Sequence, residues 1–585
     1  MCGLIAIIKT LPTAKVKKQE IISIRDIMID RGRDSHGLYL SKDQKIGLGH
    51  RRMSIIDLSK NGNQPMSALS DRELKIIFNG EIYNYQKLKK KLIIKGYKFK
   101  SNTDTEVILN GYIEWGDNVV KFLEGMFAFV IYDEKNKEVF CARDHFGIKP
   151  LYIYNHNQEI LIASQVKALL KYKDLNKEIC SVGKASFYVW GHIMEPYTLF
   201  KNIKCIEAGS ILKIGFNGKI KKKFFFSPLK LYQKKKPKIK INNLNEIIKN
   251  SIHKHQVSDV PLGVFLSSGV DSSVISYFSS KLSTRKIKTI TIGFKETNSD
   301  IFDETHMAQK IAKSIGTIHK NVSIDFSKQK TEFSKFLKSM DLPTVDGFNT
   351  WLACKEAKKT GCKVMLTGLG GDEFFSGYPT LSRANILLNS KTRKLAKLLN
   401  FDFIINKLTK HVIKGQNKFK YKSIINYSNN IGEVYLLLRS YFLPEQINYL
   451  KRENNLDINL KKLIKDYKTF IKKLIYLPRE LQVKILEMNI YMKSRLLKDT
   501  DWIGYAHNLE LRTPLVDLEV ASMSKNMNKE DLFNTTKHLP KEIIKRKKKG
   551  FAIPKVIFKK DSHEDYKFNI HDYILKSYLS INRIK

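Results

Sequence analysis

The chain has 585 residues, 42% hydrophobic and 28% charged, which is the composition of a globular protein too long for one hydrophobic core. No apolar run reaches the roughly 18 residues of a membrane-spanning helix, and no signal-like segment is present, so we expect a cytoplasmic protein without membrane association. The 104 basic and 57 acidic residues give a net charge of +47, which raises the possibility of nucleic-acid binding. Because the lysines are spread along the chain without a nucleic-acid-binding motif, we expect no nucleic-acid partner and keep such binding only as an alternative.

The first residues place a thiol, Cys2, directly before a short apolar run, 4–8. If Met1 is removed, Cys2 becomes the N-terminus, and its α-amine can accept the thiol proton directly or through water. The apolar run predicts a buried strand that holds this nucleophile at the edge of a core. The other five cysteines are widely scattered, without the spacing of a disulfide framework or a zinc site.

Residues 1–215 alternate short apolar segments with turns, and two stretches, 19–28 and 84–96, have a helical pattern. This predicts an α+β sandwich. Polar clusters interrupt the apolar segments, and they are found at 31–37, 49–57, 79–84 and 101–106. Singly, each has an ordinary explanation: Asn79-Gly80 is a hairpin signal, and Asp104 is a candidate helix N-cap.

Taken together behind Cys2-Gly3, these clusters resemble the class II, N-terminal-nucleophile glutamine amidotransferases, and the match continues through 125–129 and 143–152. The resemblance implies that Cys2 attacks the glutamine side-chain amide, with Asn79 Nδ and the Gly80 N–H as the oxyanion hole. It implies that Arg52 pairs with the glutamine α-carboxylate and that Asp104 and Glu81 hold its α-ammonium. The full glutamine-binding set is Arg52, Ile55, Ile56, Asn79, Gly80, Glu81 and Asp104. Arg33 and Gln165 depart from the family pattern, both outside this set.

Residues 216–245 are rich in lysine and contain Pro228 and Pro237, so we place a linker there, between an amidotransferase domain, 1–215, and a second domain, 246–585. In the second domain, short β-branched runs at 264–266, 287–294 and 363–367 are separated by helical patterns such as 303–314. This alternation predicts a parallel sheet covered by helices.

A Gly/Ser turn, 267–273, follows the first of these runs and leads into a helical segment. Such a turn presents backbone N–H groups to an anion. The turn resembles the pyrophosphate loop of the ATP pyrophosphatases (adenine nucleotide α-hydrolase-like domains), with Ser268 in place of the usual glycine. A second turn, 367–373, supplies Asp372, which is expected to join Asp271 in binding Mg²⁺. The expected ATP-binding residues are Leu266, Ser267, Ser268, Gly269, Asp271, Ser272, Ile292, Thr367 and Gly368.

Further segments at 491–501, 509–517 and 546–554 complete a resemblance to the glutamine-hydrolysing asparagine synthetases that spans residues 1 to about 555. It implies ATP and Mg²⁺ as cofactors, glutamine and aspartate as small-molecule substrates, and a homodimer. Lys548 falls at the family's lysine that stabilises charge on the adenylate and the departing pyrophosphate. Ammonia released in the first domain is expected to pass internally to the second.

The amidated carboxylate is the point left open. Leu369 stands where synthetases that act on aspartate usually carry glutamate, and 341–350 is a variant of the acceptor region. Asparagine synthesis is the favoured interpretation, and the alternative is the same chemistry on another acid, such as one from surface polysaccharide biosynthesis.

Overall fold

The computed structural model describes residues 2–69, 73–233, 241–295, 304–325, 328–389, 420, 423–454, 457–536, 539–545 and 566–584. Within these ranges, no helix has both the length and the apolar character that crossing a membrane requires.

Two antiparallel sheets of six strands form the first half of the chain. Their strands are β1 (Gly3–Lys9), β2 (Ser35–Leu40), β3 (Ile46–Arg52), β4 (Met66–Ser67), β5 (Leu74–Ile82), β6 (Gly125–Asp133), β7 (Glu138–Arg143), β8 (Tyr152–His156), β9 (Glu159–Ala163), β10 (Ile203–Cys205), β11 (Ser210–Gly215) and β12 (Ile220–Phe224). The strand orders are β10-β8-β9-β1-β3-β2 and β12-β11-β7-β6-β5-β4. Side chains of both sheets, such as Leu4 and Ala6 of β1 with Ala128 and Val130 of β6, share one buried cluster. This is the predicted α+β sandwich, and β1 is buried along its whole length.

The helices of this half are α1 (Lys18–Ile27), α2 (Tyr85–Ile94), α3 (Asp104–Trp115), α4 (Val166–Leu169) and α5 (Ser181–Trp190). The first two coincide with the predicted helical stretches. The third begins one residue after Thr103, whose side chain accepts a hydrogen bond from the Glu106 N–H. Asp104 is therefore the first helical residue and not the N-cap.

A parallel sheet organises the second half. Its strands are β13 (Leu262–Phe265), β14 (Lys288–Lys295), β15 (Ile318–Asp325), β16 (Val364–Leu366) and β17 (Glu510–Arg512), in the order β15-β14-β13-β16-β17. All four pairings are parallel, which confirms the predicted α/β class. Three of these strands overlap the apolar runs found in the sequence.

The helices that follow the first half are α6 (Pro228–Gln233), α7 (Ile241–His255), α8 (Val270–Leu282), α9 (Thr305–Ile315), α10 (Lys330–Ser339), α11 (Phe348–Lys358), α12 (Gly371–Phe374), α13 (Thr380–Leu387), α14 (Ile431–Arg439), α15 (Pro444–Asn454), α16 (Leu460–Lys472), α17 (Arg479–Leu486), α18 (Leu497–Ala506), α19 (Leu518–Met523), α20 (Lys529–Phe533), α21 (Glu542–Lys545) and α22 (Tyr566–Ile581). A π-helix, Glu487–Leu496, joins α17 to α18. The predicted linker, 216–245, contains β12, which pairs with β11, as well as α6 and the start of α7. The division at 215 and 246 stays a prediction.

The two halves are in direct contact. Backbone hydrogen bonds join Val345 N to Gly191 O at 3.0 Å and Tyr441 N to Val189 O at 2.6 Å. Trp190 packs on Tyr435 with ring centroids 6.1 Å apart. Side chains of both halves therefore belong to one continuous core.

Candidate active sites

The thiol of Cys2 lies at the entry to β1, beside the strand β5 that carries Asn79, Gly80 and Glu81. Cys2 is 8% exposed, and its backbone N–H donates to Asn79 Oδ1 at 3.0 Å. Asn79 is fully buried, and within the described part of the chain its Nδ2 has no hydrogen-bond partner. The amide is therefore oriented with its oxygen on Cys2 and its donor free, as an oxyanion hole requires.

Gly80 is in the middle of β5 and not in a turn, so the hairpin explanation of Asn79-Gly80 is wrong. Its φ is +154°, and an added Cβ would lie 2.1 Å from the carbonyl oxygen of Met126 on β6. Only glycine fits this close approach of two strands.

Burial raises the pKa of the Cys2 thiol above its usual value, while the N-terminal charge, the Met53 N–H and Arg52 lower it. The thiol is therefore protonated near neutral pH and needs a base. His50, which lies opposite Leu4 on the neighbouring strand β3, is fully buried. Its Nε2 lies 3.0 Å from the Phe78 carbonyl oxygen, and burial lowers its pKa to about 3. A side chain with so low a pKa is a weak base near neutral pH, which is consistent with the predicted role of the α-amine of a processed N-terminus.

Arg52, at the end of β3, is buried and fixed by the loop that follows. Its guanidinium donates to the carbonyl oxygens of Ser59 at 2.8 Å, Asp57 at 2.5 Å and Ile56 at 3.3 Å. Ile55 is also buried, and its carbonyl oxygen accepts from the Asp259 N–H at 3.0 Å. The loop that orients Arg52 is thus held by the second half of the chain.

Two buried carboxyl groups, Glu81 and Asp104, complete the predicted glutamine site. Asp104 Oδ2 accepts from the Ile82 N–H at 2.9 Å, and burial raises its pKa to about 7. Burial and the neighbouring Glu510 raise the pKa of Glu81, and Arg512 opposes them. Both carboxyl groups are poised to lose a proton when a cationic group, such as an α-ammonium, arrives.

Arg512, on β17 of the second half, lies in the segment 509–517, whose pattern predicts no role at the glutamine site. Its side chain nevertheless contacts this site. Its Nη2 lies 3.5 Å from Glu81 Oε1, and its Nε lies 2.5 Å from Glu510 Oε1. It also donates to the carbonyl oxygens of His255 and Val257 at 2.8 and 2.6 Å. Residues of both halves of the chain therefore border the predicted glutamine site, and no local sequence pattern indicates this contact.

A second contact between the two halves, which no sequence pattern predicts, includes Cys2 itself. Arg31 Nε donates to the Cys2 carbonyl oxygen at 3.1 Å, and its Nη1 donates to Asp501 Oδ2, on α18, at 2.9 Å. The guanidinium also lies 3.9 Å from the centre of the Tyr505 ring. Lys149 Nζ is 3.4 Å from the other oxygen of Asp501. These charges are almost fully buried, so they depend on one another for neutralisation.

The predicted pyrophosphate loop lies between β13 and α8. Leu266 N donates to Ile290 O at 2.9 Å, which fixes the end of β13 beside β14. The hydroxyls of Ser267 and Ser272 are 2.8 Å apart, and Gly269 N donates to Ser267 Oγ at 3.1 Å. Gly269 is the N-cap of α8, and the adjacent Ser268 is buried. The loop is thus pre-formed at a helix N-terminus, as a phosphate site requires.

The second acidic turn lies beside this loop because β16 pairs with β13. Close glycine contacts show how tightly the turns meet: an added Cβ on Gly371 would lie 2.2 Å from Asp271 Cγ, and one on Gly368 2.9 Å from Asp271 Cβ. Thr367 Oγ1 accepts from the Leu369 N–H at 3.1 Å. Ile292 continues β14 beyond the end of β13, on the same edge. The predicted adenosine residues therefore gather at the carboxyl edge of the sheet, where nucleotides bind in such folds.

Asp271 and Asp372 converge on one position. The ammonium of Lys529, from α20, contacts Asp271 Oδ1 and lies 2.6 Å from Asp372 Oδ1. One cation thus reaches both carboxylates, so the pair fits a shared Mg²⁺. No group of three or more His, Cys, Asp or Glu in the described ranges could hold a metal alone. Two carboxylates suit an ion that takes its other ligands from nucleotide phosphates and water.

Lys548, the lysine predicted to stabilise charge on the adenylate and diphosphate, lies outside the described residues.

Two family models match the chain: a glutamine amidotransferase domain over residues 1–225 and asparagine synthase over residues 243–566. The chain belongs to the asparagine synthase family. Members of this family that resemble it include asparagine synthetase [glutamine-hydrolyzing] 1 of Bacillus subtilis, 31% identical over 95% of this chain and 87% of that one. A putative asparagine synthetase [glutamine-hydrolyzing] 2 of Methanocaldococcus jannaschii is 33% identical over 68% of this chain and 79% of that one. A putative asparagine synthetase of Mycobacterium tuberculosis (strain H37Rv) is 27% identical over 95% and 88%. The protein is a glutamine-dependent ligase of the asparagine synthase type.

Proposed function

We propose that the protein is a glutamine-hydrolysing asparagine synthetase. It converts ATP, L-aspartate, L-glutamine and water into AMP, diphosphate, L-asparagine and L-glutamate. Two active sites catalyse the two parts of this reaction. The sandwich domain releases ammonia from glutamine, and the parallel-sheet domain activates the β-carboxylate of aspartate as an acyl-adenylate.

In the first site, after removal of Met1, the Cys2 sulfur attacks the amide carbon of glutamine while the α-amine takes the thiol proton. The oxyanion of the tetrahedral adduct lies at Asn79 Nδ2 and the Gly80 N–H. The adduct collapses as the amide nitrogen takes the proton and leaves as ammonia. Water then hydrolyses the thioester, which releases glutamate and restores the thiol.

In the second site, an oxygen of the aspartate β-carboxylate attacks the α-phosphorus of ATP, and diphosphate leaves. Ammonia then attacks the acyl carbon, AMP leaves, and the nitrogen loses a proton to give the amide. The loop 267–273 binds phosphate oxygens through its N–H and hydroxyl groups. Asp271 and Asp372 would hold Mg²⁺, which when bound neutralises phosphate charge. Lys548 remains our proposed cation for the charge on the adenylate and diphosphate.

The interface between the domains supports internal transfer of ammonia. A small cavity of about 20 Å³ lies there, which is room for about one molecule the size of water or ammonia. Its lining includes Arg31, which contacts Cys2, and Asp341 and Thr344 of the predicted acceptor region. Ammonia in bulk water near pH 7 is mostly protonated and not nucleophilic, so a route that keeps it inside the protein preserves its reactivity.

The observation that supports the choice of aspartate is the likeness to a named asparagine synthetase over 95% of the chain. The acceptor region is also held firmly. Thr344 Oγ1 donates to Asp499 Oδ2 at 2.8 Å, and Arg495 lies 2.6 Å from Asp346. Leu369, half-buried at the second turn, is the departure that the experiment must address.

The test measures diphosphate release with ATP, Mg²⁺ and glutamine across a panel of carboxylic acids, with the amidated product identified by mass. We expect aspartate to support turnover and asparagine to form. Amidation of another acid with no aspartate-dependent turnover would contradict the proposal.

A further inference from the structure

Lys529 has a fixed backbone at the start of α20. Its neighbour Asn528 caps this helix: Asn528 Oδ1 accepts from Glu530 N at 2.8 Å and Asp531 N at 3.1 Å, while Asp531 Oδ2 accepts from Asn528 N at 2.8 Å. Leu532, later in the same helix, is buried. Because this reciprocal capping box holds the helix end, the Lys529 side chain departs from a defined position.

From that position its ammonium contacts both predicted metal ligands, which come from separate turns. Asp271 is on the first turn of α8 and Asp372 is on α12. The carboxylates are 10% and 3% exposed as side chains, whereas Lys529 is 23% exposed. Lys529 thus covers the acidic pair from its more open side.

A divalent cation carries twice the charge of an ammonium, so it interacts more strongly with a pair of carboxylates. Lys529 nevertheless competes strongly with a free metal ion for the two carboxylates, because its attachment to the chain gives its ammonium a high effective concentration there. Nucleotide phosphates change that competition, since they supply further oxygen ligands for the divalent ion and draw the ammonium away.

We propose that Lys529 is a positioning residue that occupies the shared cation position of Asp271 and Asp372 until Mg-ATP binds, so that the metal enters with the nucleotide and not before it. This inference rests on the proposed ATP chemistry of the second site. This arrangement makes binding ordered, because free divalent cations do not occupy the site before the nucleotide binds.

The test is a titration with Mn²⁺ in the absence of nucleotide, followed by electron paramagnetic resonance of the free ion. A lysine that holds the position nine-tenths of the time lowers the apparent metal affinity about tenfold. We therefore expect Lys529→Met to bind one Mn²⁺ at least about tenfold more tightly than the unmodified protein. The gain should be absent in Lys529→Arg, which keeps the cation, and lost again in Lys529→Met with Asp271→Asn.

Lys541→Met serves as the matched control, because Lys541 is an exposed lysine that follows α20 in the chain. Circular dichroism checks that each variant is folded, and Lys529→Gln is the replacement if the methionine variant is not. Equal or weaker Mn²⁺ binding in the neutral Lys529 variants would overturn the proposal. Because the titration contains neither ATP nor aspartate, its outcome is independent of whether asparagine is the product.

Discussion

Asn79→Asp is the substitution that examines the glutaminase site most closely. The replacement has the same shape, and one carboxylate oxygen can still accept from the Cys2 N–H, now 3.0 Å from Asn79 Oδ1. The other oxygen replaces Nδ2, the buried donor with no partner in the described residues. A donor aimed at the developing oxyanion thus becomes an acceptor, while the packing around a fully buried side chain is retained.

The expected cost follows from what one such donor contributes. Loss of a single oxyanion-hole donor lowers kcat by about 100- to 1,000-fold, or roughly 3–4 kcal/mol. We expect a loss at the upper end of this range, because the aspartate also introduces a negative charge that repels the oxyanion. The KM for glutamine should change little, because Asn79 is assigned to the transition state and the substrate is held by other groups.

The assay compares glutamate release with asparagine formation from ammonium salt. Asn79→Asp should lose the first activity and keep the second, and Asn155→Asp, an exposed asparagine on β8, should keep both. A glutaminase kcat within threefold of the unmodified protein would refute the assignment of Asn79 to the oxyanion hole.

Four further outcomes follow from the same geometry. Cys2→Ala should abolish glutamine-dependent synthesis and spare synthesis from ammonium salt, and loss of both in a product assay would contradict separate sites. Asp271→Asn should cripple synthesis from either nitrogen source while glutamate release continues, and an unchanged synthesis rate would refute its metal role. Because burial raises the pKa of Asp104 to about 7, lowering the pH from 8 to 6 protonates most of it. Glutamine binding to the Cys2→Ala protein, measured by calorimetry, should then weaken about tenfold, since a neutral carboxyl no longer attracts the α-ammonium; a flat profile would exclude that contact. Asp501→Asn leaves the buried Arg31 guanidinium without its anionic partner, at a cost of about 3–5 kcal/mol, so its thermal midpoint should fall by several degrees, and an unchanged midpoint would contradict the pairing.

Much of the first site was predictable because its residues form short local patterns. Cys2-Gly3 and Asn79-Gly80-Glu81 could be assigned together since each pattern has few alternative explanations once both occur in one chain. Even so, local propensity predicted a hairpin at Asn79-Gly80, and the long pairing of β5 with β6 prevailed. Tertiary contacts decided the conformation there.

The residues that the sequence did not reveal are those whose partners are distant. Lys529 meets Asp271 across 258 positions, and Arg31 meets Asp501 across 470. The capping pattern at Asn528 could have predicted a helix start, but a lysine at a helix start has no local feature that identifies an ion pair. The first contact depends on how a distant helix packs over the parallel sheet, and the second depends on how the two domains dock. Residue types and spacing determine neither arrangement.

The central claim is that nitrogen passes from glutamine to aspartate within one protein. The most direct measurement supplies glutamine labelled with ¹⁵N in its side-chain amide, together with aspartate, ATP, Mg²⁺ and an excess of unlabelled ammonium salt. We predict asparagine whose amide retains mostly ¹⁵N, because ammonia is transferred internally. Asparagine carrying mainly unlabelled nitrogen, or no asparagine at all, would contradict it.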